Sequence, residues 1–510
     1  MYRLNICIIF YFLSRILCEL FGSFHPNSLF VFVQAKIVEV LDNSDVAQKF
    51  PSHRIVIIGA GPGGFEAALA GRQLGAEVIL VEREGWGGSA VLTDVVPSKT
   101  LIAVADISKR FSEIEELGLK TAGAQIEVDL KAVNQRLKNL AREQSLDMQQ
   151  QLEKAGVQLI TGTGRLDGNH AVIVSPNDGS KEKRIETKTI IVSTGARPRE
   201  LESAKPDGER IFNWKQLYNL ESLPEHLIVV GSGVTGAEFA GAYLALGSKV
   251  TLVSSRDYVL PGEDKDAAMV LENVFKRGGM RIMNKSRAES VENTGDGVRV
   301  TLNTGEVLIG SHCLMAVGSI PNTEGLNLEE AGVDTNEHGQ IVVNKVAGTS
   351  RANVYAAGDC TNFLPLASVS AMQGRTAVFH AMGDVSTPTQ LRNVTANVFT
   401  SPEIASVGWS QESIENDEVR GFVHKIDLES NPRAKMMGVQ DGFIKLFAST
   451  GGTVIGGVVV APRASELIYS IAVAVENRLT VDDVSAAFAV YPSLSGSISD
   501  AARALHVPII

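Results

Sequence analysis

Residues 54–64 read Arg54-Ile55-Val56-Ile57-Ile58-Gly59-Ala60-Gly61-Pro62-Gly63-Gly64, followed by the helix-patterned stretch FEAALAGRQLG. The β-branched run before Gly59 predicts a buried parallel strand. A second such strand, Val78–Val81, ends at Glu82. Strand, G-x-G-x-x-G turn, helix and strand make one βαβ unit. In such a unit Gly59 permits the tight turn, Gly61 lets the backbone approach a pyrophosphate, and Gly64 packs helix on strand. The helix N-terminus offers unpaired N–H groups and a partial positive charge to the phosphates. Glu82 stands 23 residues after Gly59, where a carboxylate takes both hydroxyls of a ribose. Together these features predict a dinucleotide site.

The pattern recurs 172 residues further on. Leu227–Val230 leads into Gly231-Ser232-Gly233-Val234-Thr235-Gly236, a helical AEFAGAYLALG and a strand, Val250–Val253. Two dinucleotide sites in one chain predict electron transfer between two cofactors. The ribose ends differ: Ser254 stands where the first unit has Glu82, followed by Ser255 and Arg256. Losing the carboxylate removes its repulsion of a 2′-phosphate, and Arg256 can pair with one. The second site is therefore expected to accept NADPH alongside NADH.

The remaining composition narrows the class. The 510 residues suffice for about three domains, and 44% hydrophobic with 21% charged residues is ordinary for a globular chain. A net charge of −11 without a long basic run argues against nucleic acid or an anionic membrane as the main partner. The four cysteines (Cys7, Cys18, Cys313, Cys360) form no CxxC, which excludes a disulfide scaffold and a cysteine-ligated zinc site. The nine histidines form no HxxxH or HExxH, so no metal site is expected. The apolar run Leu4 to Ser14 is too short for a bilayer-crossing helix, which needs about 20 residues, and it lacks a signal-peptide cleavage pattern. Residues 1–52 are read as translated upstream sequence, with a membrane-associating leader as the alternative, and a cytoplasmic location is expected. Val128–Lys154 has the spacing of a long helix, and Lys181-Glu182-Lys183-Arg184 after Asn177-Asp178-Gly179 reads as a solvated hairpin.

With both βαβ units in view, residues 53–505 resemble the flavoprotein disulfide reductase family, which includes lipoamide dehydrogenase, glutathione reductase and mercuric reductase. Three further motifs carry the match: Thr194-Gly195-Ala196-Arg197-Pro198, Ala316-Val317-Gly318-Ser319-Ile320-Pro321-Asn322 and Val354-Tyr355-Ala356-Ala357-Gly358-Asp359. The resemblance implies an α/β chain with two Rossmann-like, three-layer dinucleotide-binding domains and a C-terminal α+β interface domain that forms a homodimer. It places an FAD domain at 53–200 and 335–385, an NAD(P) domain at 201–334 and the dimerisation domain at 386–510. FAD would lie on Gly59, Gly61, Gly64, Glu82, Thr194 and Gly195, with Asp359 at the ribitol–phosphate region and Lys99 beside flavin N5. NADPH or NADH would lie on Gly231, Gly233, Gly236, Ser254, Arg256 and Gly318, with Glu238 paired to Lys99.

The redox centre departs from the family pattern. The family carries GGTCLNxGCxPSK, whereas residues 87–99 read GGSAVLTDVVPSK, which puts Ala90 and Val95 at the two cysteine positions. The family's HPTxSE, a histidine base oriented by a glutamate, is Tyr491-Pro492-Ser493-Leu494-Ser495-Gly496. Thiolate is the nucleophile of dithiol exchange, and no side chain at 90 or 95 supplies one. A tyrosine of pKa about 10 is a poor base near pH 7. Cys313 and Cys360 are expected to be small buried hydrophobes. The stretches GGSAVLTDVVPSK and AVYPSLSGSI are most similar to an actinobacterial branch that reduces quinones with NAD(P)H and lacks the cysteine pair. The expectation is an FAD-dependent oxidoreductase passing two electrons from NAD(P)H through flavin directly to a quinone. Ala90, Val95 and Tyr491 of the partner subunit would line the vacated space, with Tyr491 bonding the quinone oxygen or walling the pocket. The alternatives are a dihydrolipoamide dehydrogenase-like reductase using Cys313 or Cys360, and a non-catalytic flavin-binding partner protein.

Overall fold

The computed structural model describes residues 53–120 and 127–506. The reading of residues 1–52 falls outside them. Arg54–Ile58 forms β1, Pro62–Gln73 α1 and Glu77–Glu82 β2, with β1 and β2 parallel and Ile55 opposite Val78. Ile55 to Ile58 are all buried, which is why the run carries no polar alternation: both faces of the strand are covered.

Two helices, α2 (Gly88–Leu92) and α3 (Val95–Ser112), follow, then the long α4 (Leu130–Lys154). Strands β3 (Gln158–Leu166), β4 (Ala171–Pro176), β5 (Lys183–Glu186), β6 (Thr189–Val192) and the short β7 (Ala196–Pro198) come next. The β4–β5 pair is the expected hairpin, antiparallel and with Lys181–Arg184 exposed.

The second unit repeats the scheme. Its strands are β8 (Ile211–Phe212), β9 (His226–Val230), β10 (Lys249–Val253), β11 (Arg281–Met283) and β15 (His312–Met315). Helix α5 (Val234–Ala245) connects β9 to β10, and α6 (Lys265–Arg277) connects β10 to β11. A three-stranded antiparallel sheet, β12 (Ala288–Asn293), β13 (Val298–Leu302) and β14 (Val307–Gly310), is inserted before β15. The parallel order is β11-β10-β9-β15-β8. After it, β16 (Ser319–Pro321) pairs antiparallel with β7 and brings the chain back to the first unit.

Strand β17 (Val354–Ala356) completes the first sheet, whose order is β17-β6-β1-β2-β3-β4-β5, and α7 (Ala367–Ala381) packs against α1. The return begins ahead of residue 335. Leu326, Leu328, Ala331 and Val333 are buried in the core of the first sheet, and the Leu166 N–H donates to the Leu326 carbonyl at 3.0 Å. The reason is packing, since these apolar residues find their cover against β3 and β4.

The C-terminal unit is an antiparallel sheet ordered β18 (Ala396–Val398), β19 (Glu403–Gly408), β22 (Val454–Ala461), β21 (Phe443–Ser449) and β20 (Gly421–Asp427). Helices α8 (Ala464–Glu476) and α9 (Gly496–Ala504) cover it through Ile468, Ile471, Ile498 and Ala501. The buried Lys445 of β21 binds Asp264 at 2.8 Å and Asp266 at 2.9 Å, which fastens this sheet to the start of α6. Among the described residues no helix is long and apolar enough to cross a membrane.

Candidate functional site

The two glycine turns repeat one geometry. Gly59 and Gly231 have φ of +98° and +111°, a region that disfavours side chains. A Cβ on Gly59 would lie 2.3 Å from the Ser193 carbonyl oxygen, and one on Gly231 would lie 2.1 Å from that of Ala316. Cβ atoms on Gly64 and Gly236 would lie 1.9 and 1.8 Å from the carbonyl oxygens of Gly59 and Gly231. These four glycines are demanded by the fold itself.

Gly61 and Gly233 are different. Each caps its helix in an extended conformation that any residue adopts, and a Cβ on either meets no protein atom within 4 Å. The protein interior gives no reason for glycine there, whereas a pyrophosphate approaching the turn does.

A cavity of about 650 Å³ opens beside the first turn. Gly59, Gly61, Glu82, Thr194, Gly195 and Asp359 line it, as do Ala90 and Val95. Gly64 sits behind the turn, where it packs. The Glu82 carboxylate is fixed before any ligand arrives: Oε2 accepts from the Ala60 N–H at 2.7 Å and Oε1 from the Glu84 N–H at 2.8 Å. The Thr194 hydroxyl donates to the Asn322 carbonyl at 2.7 Å and the Asn322 amide donates back to the Thr194 carbonyl at 3.0 Å. That exchange locks together the two motifs that include β7 and β16. Asp359 makes no hydrogen bond within the described chain, and burial with Asp94 nearby pushes its carboxyl up to about 6.

Lys99 on α3 and Glu238 on α5 meet at 2.7 Å. Glu238 is only 4% exposed, and its second oxygen accepts from the Phe399 N–H at 2.9 Å. The Lys99 ammonium also stands 4.9 Å from the centre of the Phe399 ring. One ion pair therefore joins the first dinucleotide unit, the second, and the C-terminal unit, with the ammonium still partly open.

At the second ribose end Ser254 does not behave as expected. Its side chain is fully buried and shares a 2.7 Å hydrogen bond with the Ser232 hydroxyl, so it shapes the turn from inside and presents nothing to a ribose. Arg256 is exposed and its guanidinium makes no ion pair among the described residues. Its carbonyl accepts from the N–H of Lys285, whose ammonium stands 3.4 Å from Asp257. Gly318 (φ +95°) has open space where a Cβ would stand, and its carbonyl accepts from the Arg199 N–H at 2.9 Å.

The thiols are elsewhere. Cys313 lies in β15 with its sulfur 3.9 Å from that of Met315, and Cys360 bonds the carbonyls of Ala357 and Val192. Both are fully buried, and burial pushes both thiols up, away from the thiolate form. Tyr491 lies on an exposed stretch with Phe488 and Val490 and does not line this chain's cavity.

Among the cavity-lining residues to which the motif reading gave no role are the charged Asp94 and Lys215. Asp94 sits inside the quoted 87–99 stretch, where a charged residue among apolar replacements was the available signal. Lys215 belongs to no motif and had none.

The pattern described as "Pyridine nucleotide-disulphide oxidoreductase" matches residues 53–374, and that of the family's dimerisation domain matches residues 394–502. A Mycobacterium tuberculosis protein named "NAD(P)H dehydrogenase (quinone)" is 49% identical over 462 residues, 89% of this chain and 94% of the relative. "Dihydrolipoyl dehydrogenase 2" of Haloarcula marismortui is 31% identical over 88% of this chain and 96% of its own. Among solved structures, LpdA from Mycobacterium tuberculosis superposes with a TM-score of 0.86 at 49% identity, covering 89% of this chain and all of that one. The flavoprotein disulfide reductase RclA from Escherichia coli gives 0.78 at 25% identity, again over 89% of this chain and all of the other. The two repeated turns, the cavity beside the first of them with Asp359 on its wall, and the matches over nearly the whole described chain agree: this protein belongs to the pyridine nucleotide-disulphide oxidoreductase family, whose members are oxidoreductases working with FAD and NAD(P)H.

Proposed function

We propose that this chain is an NAD(P)H:quinone oxidoreductase that works without a redox disulfide. The observation that carries the reading is the pair Ala90 and Val95 on the wall of the cavity, with both described cysteines fully buried and neither of them lining it. The names borne by the 49% identical relatives support the same acceptor class.

FAD, when bound, accepts two electrons from a pyridine nucleotide and releases them to a second substrate. Gly61 and the start of α1 would take its pyrophosphate, Glu82 its ribose, and Asp359 with Thr194 and Gly195 its central part. Lys99, steered by Glu238, would hold positive charge where the reduced ring is anionic. Gly233, Gly318 and Arg256 would receive NAD(P)H at the second turn. The apolar wall of Ala90 and Val95 suits a flat ring and offers nothing to a disulfide. Phe488, Val490 and Tyr491 form an exposed apolar stretch on the matched dimerisation domain, and in the proposed homodimer Tyr491 of the partner subunit closes the pocket. The reading places the enzyme in the cytoplasm, where NAD(P)H is regenerated.

The test is anaerobic. Purified yellow protein should bleach with NADPH and regain colour on adding a benzoquinone or naphthoquinone, and Cys313→Ser and Cys360→Ser variants should do the same. Bleaching without reoxidation by any quinone would refute the acceptor. Turnover of lipoamide that disappears in Cys360→Ser would establish the disulfide-reductase alternative instead. Absence of bleaching would favour a non-catalytic flavin protein.

A further inference from the structure

Asp94 occupies the N-cap of α3, the position where an aspartate ordinarily accepts hydrogen bonds from the first turn of its helix. Here it accepts none. One of the two usual donors is missing from the sequence: the third helical residue is Pro97, which has no N–H to give. The carboxyl makes no hydrogen bond or ion pair within the described chain and instead lines the cavity between Ala90 and Val95, on the wall where the family pattern has its thiols. Several charged or titratable groups lie around it. Lys99 is on its own helix, Glu238 on α5, Lys215 and Tyr218 on the segment after β8, and Asp359 on the loop after β17. Burial pushes the Asp94 carboxyl up; Glu238 adds to the rise, and Lys99 and Lys215 oppose it.

We propose that Asp94 is the proton donor to the quinone oxygen, a catalytic residue that replaces the thiol-and-imidazole apparatus of the family pattern. The inference rests on the quinone reading above. The balance requires such a donor. Converting a quinone to its hydroquinone takes two electrons and two protons. NAD(P)H brings both electrons and, as a hydride equivalent, one of the protons. The second comes from the Asp94 carboxyl: its O–H bond breaks, a new O–H bond forms on the quinone oxygen, and the carboxylate takes a proton back from water. Burial, with the Glu238 charge adding to it, holds the proton on Asp94 to higher pH than on a free carboxyl, the direction a general acid needs.

The experiment separates the two halves of the cycle in the holoenzyme. Asp94→Asn should retain FAD and bleach with NADPH at close to the wild-type rate, while anaerobic reoxidation by a benzoquinone slows by about 10²- to 10⁴-fold, the usual range for loss of a positioned acid. The fall in wild-type reoxidation rate at high pH should be absent from Asp94→Asn and partly restored in Asp94→Glu. Independently of turnover, the flavin absorption of oxidised wild type should shift on pH titration, with a component missing in Asp94→Asn and present in Cys313→Ser. Reoxidation of Asp94→Asn at the wild-type rate overturns the proposal, as does loss of the pH dependence in Tyr491→Phe with Asp94→Asn unaffected. If wild type itself is reoxidised by no quinone, the underlying function reading fails and the proton donor falls with it.

Discussion

Gly233→Ala isolates the ligand-facing glycine of the second turn from the glycines the fold needs. At this position the backbone is extended, with φ −72° and ψ −173°, and the added methyl would meet no protein atom within 4 Å. The folded protein should tolerate it, and the reduced freedom of the unfolded chain should raise stability by about 0.4–1 kcal/mol. A pyrophosphate lying against the turn would, however, be displaced by the methyl. Overpacking of this kind costs about 1–3 kcal/mol, which is about 5- to 150-fold in the dissociation constant for NADPH. The urea midpoint would be measured alongside the NADPH concentration needed for half-maximal anaerobic bleaching. Gly236→Ala supplies the contrast, since its Cβ would lie 1.8 Å from the Gly231 carbonyl oxygen and must force helix and turn apart. That variant should lose both stability and affinity, while both variants keep their FAD. Unchanged NADPH affinity in Gly233→Ala, or loss of FAD from it, would refute the assignment of the second turn to the pyridine nucleotide.

Three further outcomes follow from the same geometry. Glu238→Gln removes the charge opposite Lys99 while retaining a side chain of similar size, so the folded state should lose about 1–3 kcal/mol in urea titration and bleaching by NADPH should slow. Arg256→Ala should weaken NADPH binding by about tenfold and leave NADH unaffected, because only the former has a 2′-phosphate for an exposed guanidinium to meet. Asp359 titrates near 6 in the fold against about 3.9 unfolded, so below pH 4 its burial costs nothing, and stability is lost as pH rises through 6. The cofactor-free protein should therefore show a urea midpoint that falls between pH 4 and 7, by an amount worth up to about 3 kcal/mol, relative to Asp359→Asn; equal slopes for the two would refute it.

Much of this was written in the spacing of a few residues. A strand that must be dry on both faces, followed by glycines at fixed intervals, leaves the chain almost no alternative conformation, so both strand–turn–helix units form at these glycines and Glu82 ends its strand. Lys99 and Glu238 are 139 positions apart, and nothing in either local sequence joins them; only the resemblance did. Ser254 was misjudged for a local reason. Its neighbour across the turn is Ser232 rather than an alanine, and two facing hydroxyls satisfy each other in a buried site instead of waiting for a ligand. The early return of the chain at Leu326 was hidden because short apolar runs do not reveal which core they will join. That Asp94 leaves its helix uncapped shows only in the fold, since the sequence alone does not say where that helix starts.

The changes at the redox centre make physical sense only as a set. A thiolate at 90 or 95 would be useless without a base to manage its proton, and an imidazole at 491 would have no thiol to serve. A quinone asks for less: a flat apolar wall, electrons from the ring system it stacks near, and a proton at one oxygen. On the reading proposed above, Ala90 and Val95 would supply the wall. The Lys99–Glu238 pair is made at 2.7 Å, and on the same reading it would serve the path from pyridine nucleotide to flavin. The charged side chain in that stretch is Asp94, which leaves its own helix uncapped and lines the cavity. On the proposed reading, a two-residue covalent relay has given way to an acid and a surface, and the reaction loses an intermediate without losing a proton source.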